Sequence, residues 1–379
     1  MKELSVLLIG LSVAQALDGA EPLKQSDISF RHEVQRAIDK GLDYLKSSQS
    51  QEGWWSTADH PSVTALALSA FMGDPAERHT GSLEVKKGYA HVLRCAQPDG
   101  GVYVTGLQNY NTAISMMALL AAKDPKYDPI LRKARAYLVN SQIDAGEAGK
   151  LDTPVDGGVG YGSKYAHSDM NNTLTALEAL YYSKHLVQDG ASDEKDLNWQ
   201  AAIEFIRNCQ NMPGVNTQSW VSADPRDRGG FIYYPGHSMA GGVTNASGKV
   251  SLRSYGSISY AGLLSYVYAD VKRSDSHVVA VMEWLRSNYA LDENPGMGPQ
   301  GYYYYIHLMT KALNAAQIDT LQLRDDRKID WRREVAMRLI NLQKNDGSWQ
   351  NDNGRWWERD QNLVTAYAVM SLEIIYRGM

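Results

Sequence analysis

Gln343-Lys-Asn-Asp-Gly-Ser-Trp349 is the stretch that decides the fold. Upstream, Arg338-Leu339 ends an amphipathic helical pattern. The Gly then breaks it, and downstream Val364-Thr365 opens a second, almost uncharged helical pattern. The same order recurs. Helix ends stand at Tyr44-Leu45…Gln49, Val92-Leu93…Gln97, Tyr137-Leu138…Gln142, Phe205-Ile206…Gln210 and Trp284-Leu285…Tyr289, where Tyr289 replaces Gln. Gly-rich loops follow, among them Gly53-Trp54-Trp55, Gly100-Gly101, Gly157-Gly158, Gly229-Gly230 and Gly298 to Tyr302.

The second helices open at Val63-Thr64, Asn111-Thr112, Asn172-Thr173, Ile258-Ser259, Tyr305-Ile306 and Val364-Thr365. A small residue follows six positions after each pair: Ala70, Ala118, Ala179, Ser265, Ala312 and Ser371. Small residues at a fixed offset let helices approach closely, and the low charge puts these helices inside, with the first helices outside. Six antiparallel pairs can stack as an open solenoid or close into a ring. An open array needs polar capping repeats, and neither end has one, so closure of repeat six on repeat one is expected.

The Gln, Gly-rich turn and aromatic resemble the repeat shared by protein prenyltransferase β subunits and triterpene cyclases, across residues 31–379. The resemblance implies an all-α fold, an α/α toroid (α6/α6 barrel) of six helical hairpins. Cys95 and Cys209, the only cysteines, then fall on the outer helices of repeats two and four. That separation exceeds the ~7 Å reach of a disulfide, so both should be free and at least partly buried.

Composition narrows the class. The chain has 379 residues, 44% hydrophobic and 21% charged, with net charge −5 and basic residues spread along it. It carries no nucleic-acid footprint. Aromatic usage is skewed, with 23 Tyr and 9 Trp against 4 Phe, which suits either helix packing or a cavity that meets polar groups. At the N-terminus, Lys2 precedes an apolar run from Leu4 to Val13. Ala14-Gln15-Ala16 then fits a cleavage site. Residues 1–16 therefore read as a signal peptide, 17–30 as a flexible segment, and 31–379 as the toroid domain. Export to the periplasm or medium is expected, with no transmembrane segment after cleavage.

Loops within repeats are the long ones, especially Ile143 to Met170 and Asn211 to Gly256. They rise from the face where all inner helices begin, so helix N-termini converge at one mouth that should favour anions or hydrogen-bond acceptors. In register, the mouth offers Asp59-His60, Asn109-Tyr110-Asn111, His167 to Asn172, Tyr255, Tyr302 to Tyr305 with His307, and Trp356-Trp357 with Asp360. Asp59, Asp169 and Asp360 also have the position of helix N-caps, and His307 could be an ordinary lining histidine.

Asp169-Met170-Asn171-Asn172-Thr173 resembles the Asp-x-Asp-Asp-Thr motif of squalene–hopene cyclases, whose middle Asp protonates the polyene. Asn171 stands there in this chain, and an amide is no acid. Asp169 occupies the family's supporting position. The resemblance implies a terpene-cyclase-like protein that binds, and could convert, a polyprenyl or other largely hydrophobic ligand in a central cavity. Asp169 and His307 are the candidate proton-moving residues. Tyr110, Asn171, Asn172, Tyr255, Tyr303, Tyr304, Trp357 and Asp360 are the candidate ligand-binding residues. A non-catalytic binding protein and a carbohydrate-active enzyme on the same scaffold stay open, the latter through acids at different helix starts. No cofactor and no metal is expected. Leu93 and Arg207 stand where the zinc-binding Asp of prenyltransferases would precede each Cys, and no His-Glu-x-x-His occurs.

Overall fold

The computed structural model describes residues 25–162, 167–187, 195–244, 246 and 248–379. The signal-peptide expectation at 1–16 lies outside the described residues. Six hairpins follow one another in chain order: α1 (Gln25–Ser48) with α2 (Pro61–Gly73), α3 (Leu83–Arg94) with α4 (Gln108–Ala121), and α5 (Asp128–Asn140) with α6 (Met170–Tyr182). Then come α7 (Trp199–Asn208) with α8 (Gly256–Tyr268), α9 (Ser276–Ser287) with α10 (Tyr302–Ala315), and α11 (Trp331–Leu342) with α12 (Gln361–Arg377). The helix starts at Gln25, so residues 25–30 of the segment expected to be flexible form its first turns.

The even-numbered helices form the inner ring. Each packs on the next, and α12 packs on α2, which closes an α/α toroid. Their near-complete burial explains the missing charge; in α8 all but one residue is buried. Two short antiparallel hairpins decorate the ring. β1 (Gly242–Thr244) pairs with β2 (Val250–Leu252) in the long fourth-repeat loop, and β3 (Leu321–Gln322) pairs with β4 (Lys328–Ile329) between α10 and α11. No described helix is long and apolar enough to cross a membrane.

The repeat residues are those that satisfy backbone groups where helix meets loop. Inner-helix hydroxyls accept from loop amides: Thr64 from Trp55 N–H (3.2 Å), Thr112 from Val102 (2.9 Å), Thr173 from Val159 (2.9 Å), Ser259 from Phe231 (3.0 Å) and Thr365 from Trp349 (3.1 Å). The Gln at the outer-helix end reaches two carbonyls. Gln210 donates to Gly229 in its own loop and to His277 of α9, both at 2.9 Å. Gln343 does the same to Gly347 (3.0 Å) and to Ala37 of α1 (2.9 Å), which ties repeat six to repeat one. Tyr289, the exception in sequence, keeps the second role by donating to Glu334 of α11 (3.1 Å). The loop glycine is needed on two counts at Gly347. Its φ is +88°, and a Cβ there would lie 2.2 Å from the Lys40 carbonyl of α1.

Further seam contacts run from Ser48 to Asn362 (2.6 Å) and from Ser56 to Asp360 (2.8 Å). Cys95 and Cys209 are both free and buried.

Candidate functional site

The ring encloses two chambers that share the wall residues Leu66, Tyr110, Tyr304 and Tyr367. The upper chamber, at the inner-helix N-termini, has a volume of about 230 Å³. The lower one, at their C-terminal ends, has about 620 Å³. That lies within the ~300–1,000 Å³ of ligand sites. The three tyrosines form a septum between them. Tyr110 and Tyr367 hydroxyls lie 3.3 Å apart, and Tyr304 donates to the side-chain oxygen of Asn171. Burial holds all three phenols above their ordinary pKa, so they stay protonated donors.

The expected mouth residues divide. Tyr110, Asn171, Tyr255, Tyr304 and Trp357 line the upper chamber. The two long inserts do cover this face, because Tyr161, Tyr233 and Met239 line it too. The Tyr233 hydroxyl donates to that of Tyr161 (3.4 Å). His307 instead lines the lower chamber, stacked on Tyr367 and 3.4 Å from the Ser371 hydroxyl. Burial, with Lys311 nearby, pushes its imidazole well below the ordinary pKa, so it is neutral.

Four of the ten candidate proton-moving and ligand-binding residues do not line a chamber. Asp169 caps α6, accepting from the Asn172 backbone N–H (2.9 Å) and side-chain amide (2.7 Å). Asn172 is consumed as its partner. Asp169 is fully buried, with Tyr233 beside it, and burial pushes it up to about 6 despite these hydrogen bonds. Tyr303 is buried edge-on against Tyr302. Asp360 caps α12 through Leu363 N–H (3.0 Å) and accepts from Ser56. Asp59 is neither cap nor site: it is exposed, and α2 opens with Pro61 in its first turn and no side-chain cap.

The mouth was expected to favour anions. It already holds its own. Asp169 and Asp360 occupy two helix starts, and buried Glu358 occupies a third. Glu358 accepts from Tyr304 N–H (2.8 Å) at the α10 start and from the Asn351 side chain (2.6 Å). Its pKa is raised, since burial outweighs these bonds and the neighbouring Tyr302 and Tyr303 amides. The rim is strained. Leu107, Trp356 and Trp357 have φ of 52°, 54° and 66°, a region bulky residues seldom adopt. Trp357 lies edge-on to His60 at 5.1 Å.

The lower chamber was not foreseen. Leu66, Ile114, Met117, Leu120, Leu174 and Met370 give it apolar walls. Its rim carries the exposed residues Glu77, Thr80 and Lys123, so it opens between the α2–α3 and α4–α5 connections. Glu178 on α6 pairs with Lys311 on α10 and accepts from Tyr268 (2.9 Å). Buried Glu373 lies on α12. Each was visible in sequence as an isolated charge in an otherwise nearly uncharged inner helix; Glu178 is the only one in α6. Tyr367 and Glu358 gave no such signal, because their place depends on ring closure.

No protein-family model and no curated protein matches this sequence. Solved structures do. The type II terpene cyclase MstE from Scytonema aligns with TM-score 0.55 and 13% identity, over 92% of this chain and 99% of its own. An Asp-to-Asn variant of that cyclase in complex with its substrate geranylgeranyl dihydroxybenzoate aligns with TM-score 0.55 and 12% identity, over 93% and 99%. A GH76 alpha-mannanase from Bacteroides thetaiotaomicron aligns with TM-score 0.55 and 10% identity, over 91% and 96%. At such identities the likeness is one of fold: this chain is built as the same helical toroid as proteins of two different chemistries.

Proposed function

We propose that this chain is an exported, squalene-cyclase-like toroid that binds an elongated, largely apolar ligand of the polyprenyl class in its central cavity without protonating it. The observation that carries the reading is the 620 Å³ chamber with apolar walls at the ring centre, beyond a tyrosine septum. The likeness to a terpene cyclase solved with a geranylgeranyl substrate supports the ligand class.

Three features speak for binding rather than cyclisation. Protonating an alkene needs a strong acid aimed at the chain. Asn171, in the upper-chamber wall, stands at the motif position where the resembling cyclases carry that acid. Asp169 lies behind the wall, and a pKa of about 6 makes it a weaker acid than an ordinary carboxyl. His307 is held neutral.

The carbohydrate-enzyme alternative needs two carboxyls flanking a sugar bond. Asp59, Asp169 and Asp360, the acids that suggested it, line neither chamber. Incubation of the purified protein with polyprenyl and glycan panels, read by mass spectrometry, tests the reading. A polyprenyl ligand should be retained and recovered unchanged. Retention of glycans alone, or any cyclised product, would overturn it.

A further inference from the structure

The lower chamber carries one group that its walls leave unanswered. Glu373 is 2% exposed, and its Oε1 has no hydrogen-bond partner among the described residues. The carboxyl lies against Gly73, where a Cβ would meet Oε2 at 2.0 Å and push the carboxyl aside. A buried carboxyl with an unused oxygen is costly, and such a group in a cavity wall points to a ligand.

The other buried acids of the chamber are already paired. Glu178 is paired with Lys311, and Asp74 with Arg78 at 2.9 Å. Arg31 lies over the Tyr376 ring, 4.2 Å from its centroid. Arg377, one turn beyond Glu373, gives a guanidinium N–H to the Gly73 carbonyl. Glu373, with Arg377 the nearest cation acting on it, is the buried acid of the chamber that forms no salt bridge among the described residues. The last turns of α2, α4, α6 and α12 also end at this chamber, through Gly73, Ala121, Tyr182 and Arg377. Helix C-termini present unpaired carbonyls and the negative end of the helix dipole. Both effects favour a positive group.

We infer that the lower chamber takes an amphiphile with a protonated amine at one end, its ammonium against Glu373 and its chain among Leu66, Ile114, Met117 and Leu174. This deepens the reading of an apolar ligand in the same cavity and rests on it. Burial raises the Glu373 carboxyl well above its ordinary pKa. An arriving ammonium favours the carboxylate, whose proton leaves to solvent, and supplies its counter-charge and the missing hydrogen bond together.

Dodecylamine, dodecanol and dodecanoic acid test it, with binding to the full chain measured by calorimetry and repeated on Glu373→Gln. The expected result is that the amine binds at least about tenfold more tightly than the alcohol, the margin of a charge-assisted over a neutral hydrogen bond. The acid should bind most weakly, and Glu373→Gln should erase the preference while dodecanol binding stays within about twofold. Glutamine keeps shape and acceptor, and a melting curve confirms that the variant is folded. Equal binding of amine and alcohol, or a preference that survives in Glu373→Gln, overturns the amine assignment and leaves the apolar-ligand reading standing. Binding of none of the three sinks both.

Discussion

At the residue scale, Asp169 shows how a family motif can persist for a different reason. It caps α6 and holds Asn172 through two hydrogen bonds, which needs no chemistry. Its burial has a pH signature. Below about pH 4 both folded and unfolded chains hold the proton. As pH rises from about 4 to 6, the unfolded chain releases it first, so stability falls, by up to about 3 kcal/mol, and then levels off. Asp169→Asn should remove that fall. The new amide keeps an acceptor for the Asn172 backbone N–H. The Asn172 side-chain oxygen, now unpartnered, can turn to accept from it. Urea unfolding at pH 4 and pH 7 measures this, and an unchanged difference between the two would contradict the account. The cysteines make a second case. Burial raises both thiols, so native protein should react slowly with thiol reagents, while denatured, unreduced protein should titrate as two thiols per chain. A count of zero would mean a disulfide that the outer-ring placement forbids.

At the scale of elements, the hairpin was legible because its signature residues do local backbone work. Thr173 accepts the Val159 amide across the loop, and Thr64, Thr112 and Thr365 repeat this. Gln210 and Gln343 each link a helix end to the next hairpin. Such residues recur at fixed spacing because the geometry they satisfy recurs. Thr173→Val keeps the shape and deletes the acceptor, leaving a buried N–H unpaired. It should cost about 1–3 kcal/mol, read as a drop in the denaturant midpoint at constant slope. A loss below about 0.5 kcal/mol would mean that water or another group serves the amide. Helix ends were less legible. Asp59 has the composition of an N-cap, yet Pro61 starts α2 without one, and Glu358 caps α10 from 54 residues downstream in a different hairpin.

At the scale of the whole molecule, the closed ring was readable and its interior only partly. Six repeats of one pattern pointed to a ring, and the α12–α2 packing closes it. Which inner-helix residues face the centre depends on helix rotation, which spacing constrains loosely. Five expected residues reached the upper chamber, His307 reached the lower, and Tyr303, Asn172, Asp169 and Asp360 went to packing or caps. The motif residues lie at the N-terminal mouth, while the larger C-terminal chamber is marked in sequence only by Glu178, Lys311 and Glu373, charges out of place in the inner helices. That chamber is where the account puts the ligand, and a residue that fills it tests the claim most directly. Ile114 lines it and contributes to the core, so Ile114→Trp should occupy space without opening a void. Geranylgeraniol titrated into wild-type protein should bind saturably, one per chain. With Ile114→Trp, affinity should drop at least about tenfold while the melting temperature stays within a few degrees. Saturable binding of undiminished affinity in a folded Ile114→Trp protein would place the ligand outside the central chamber and contradict the account.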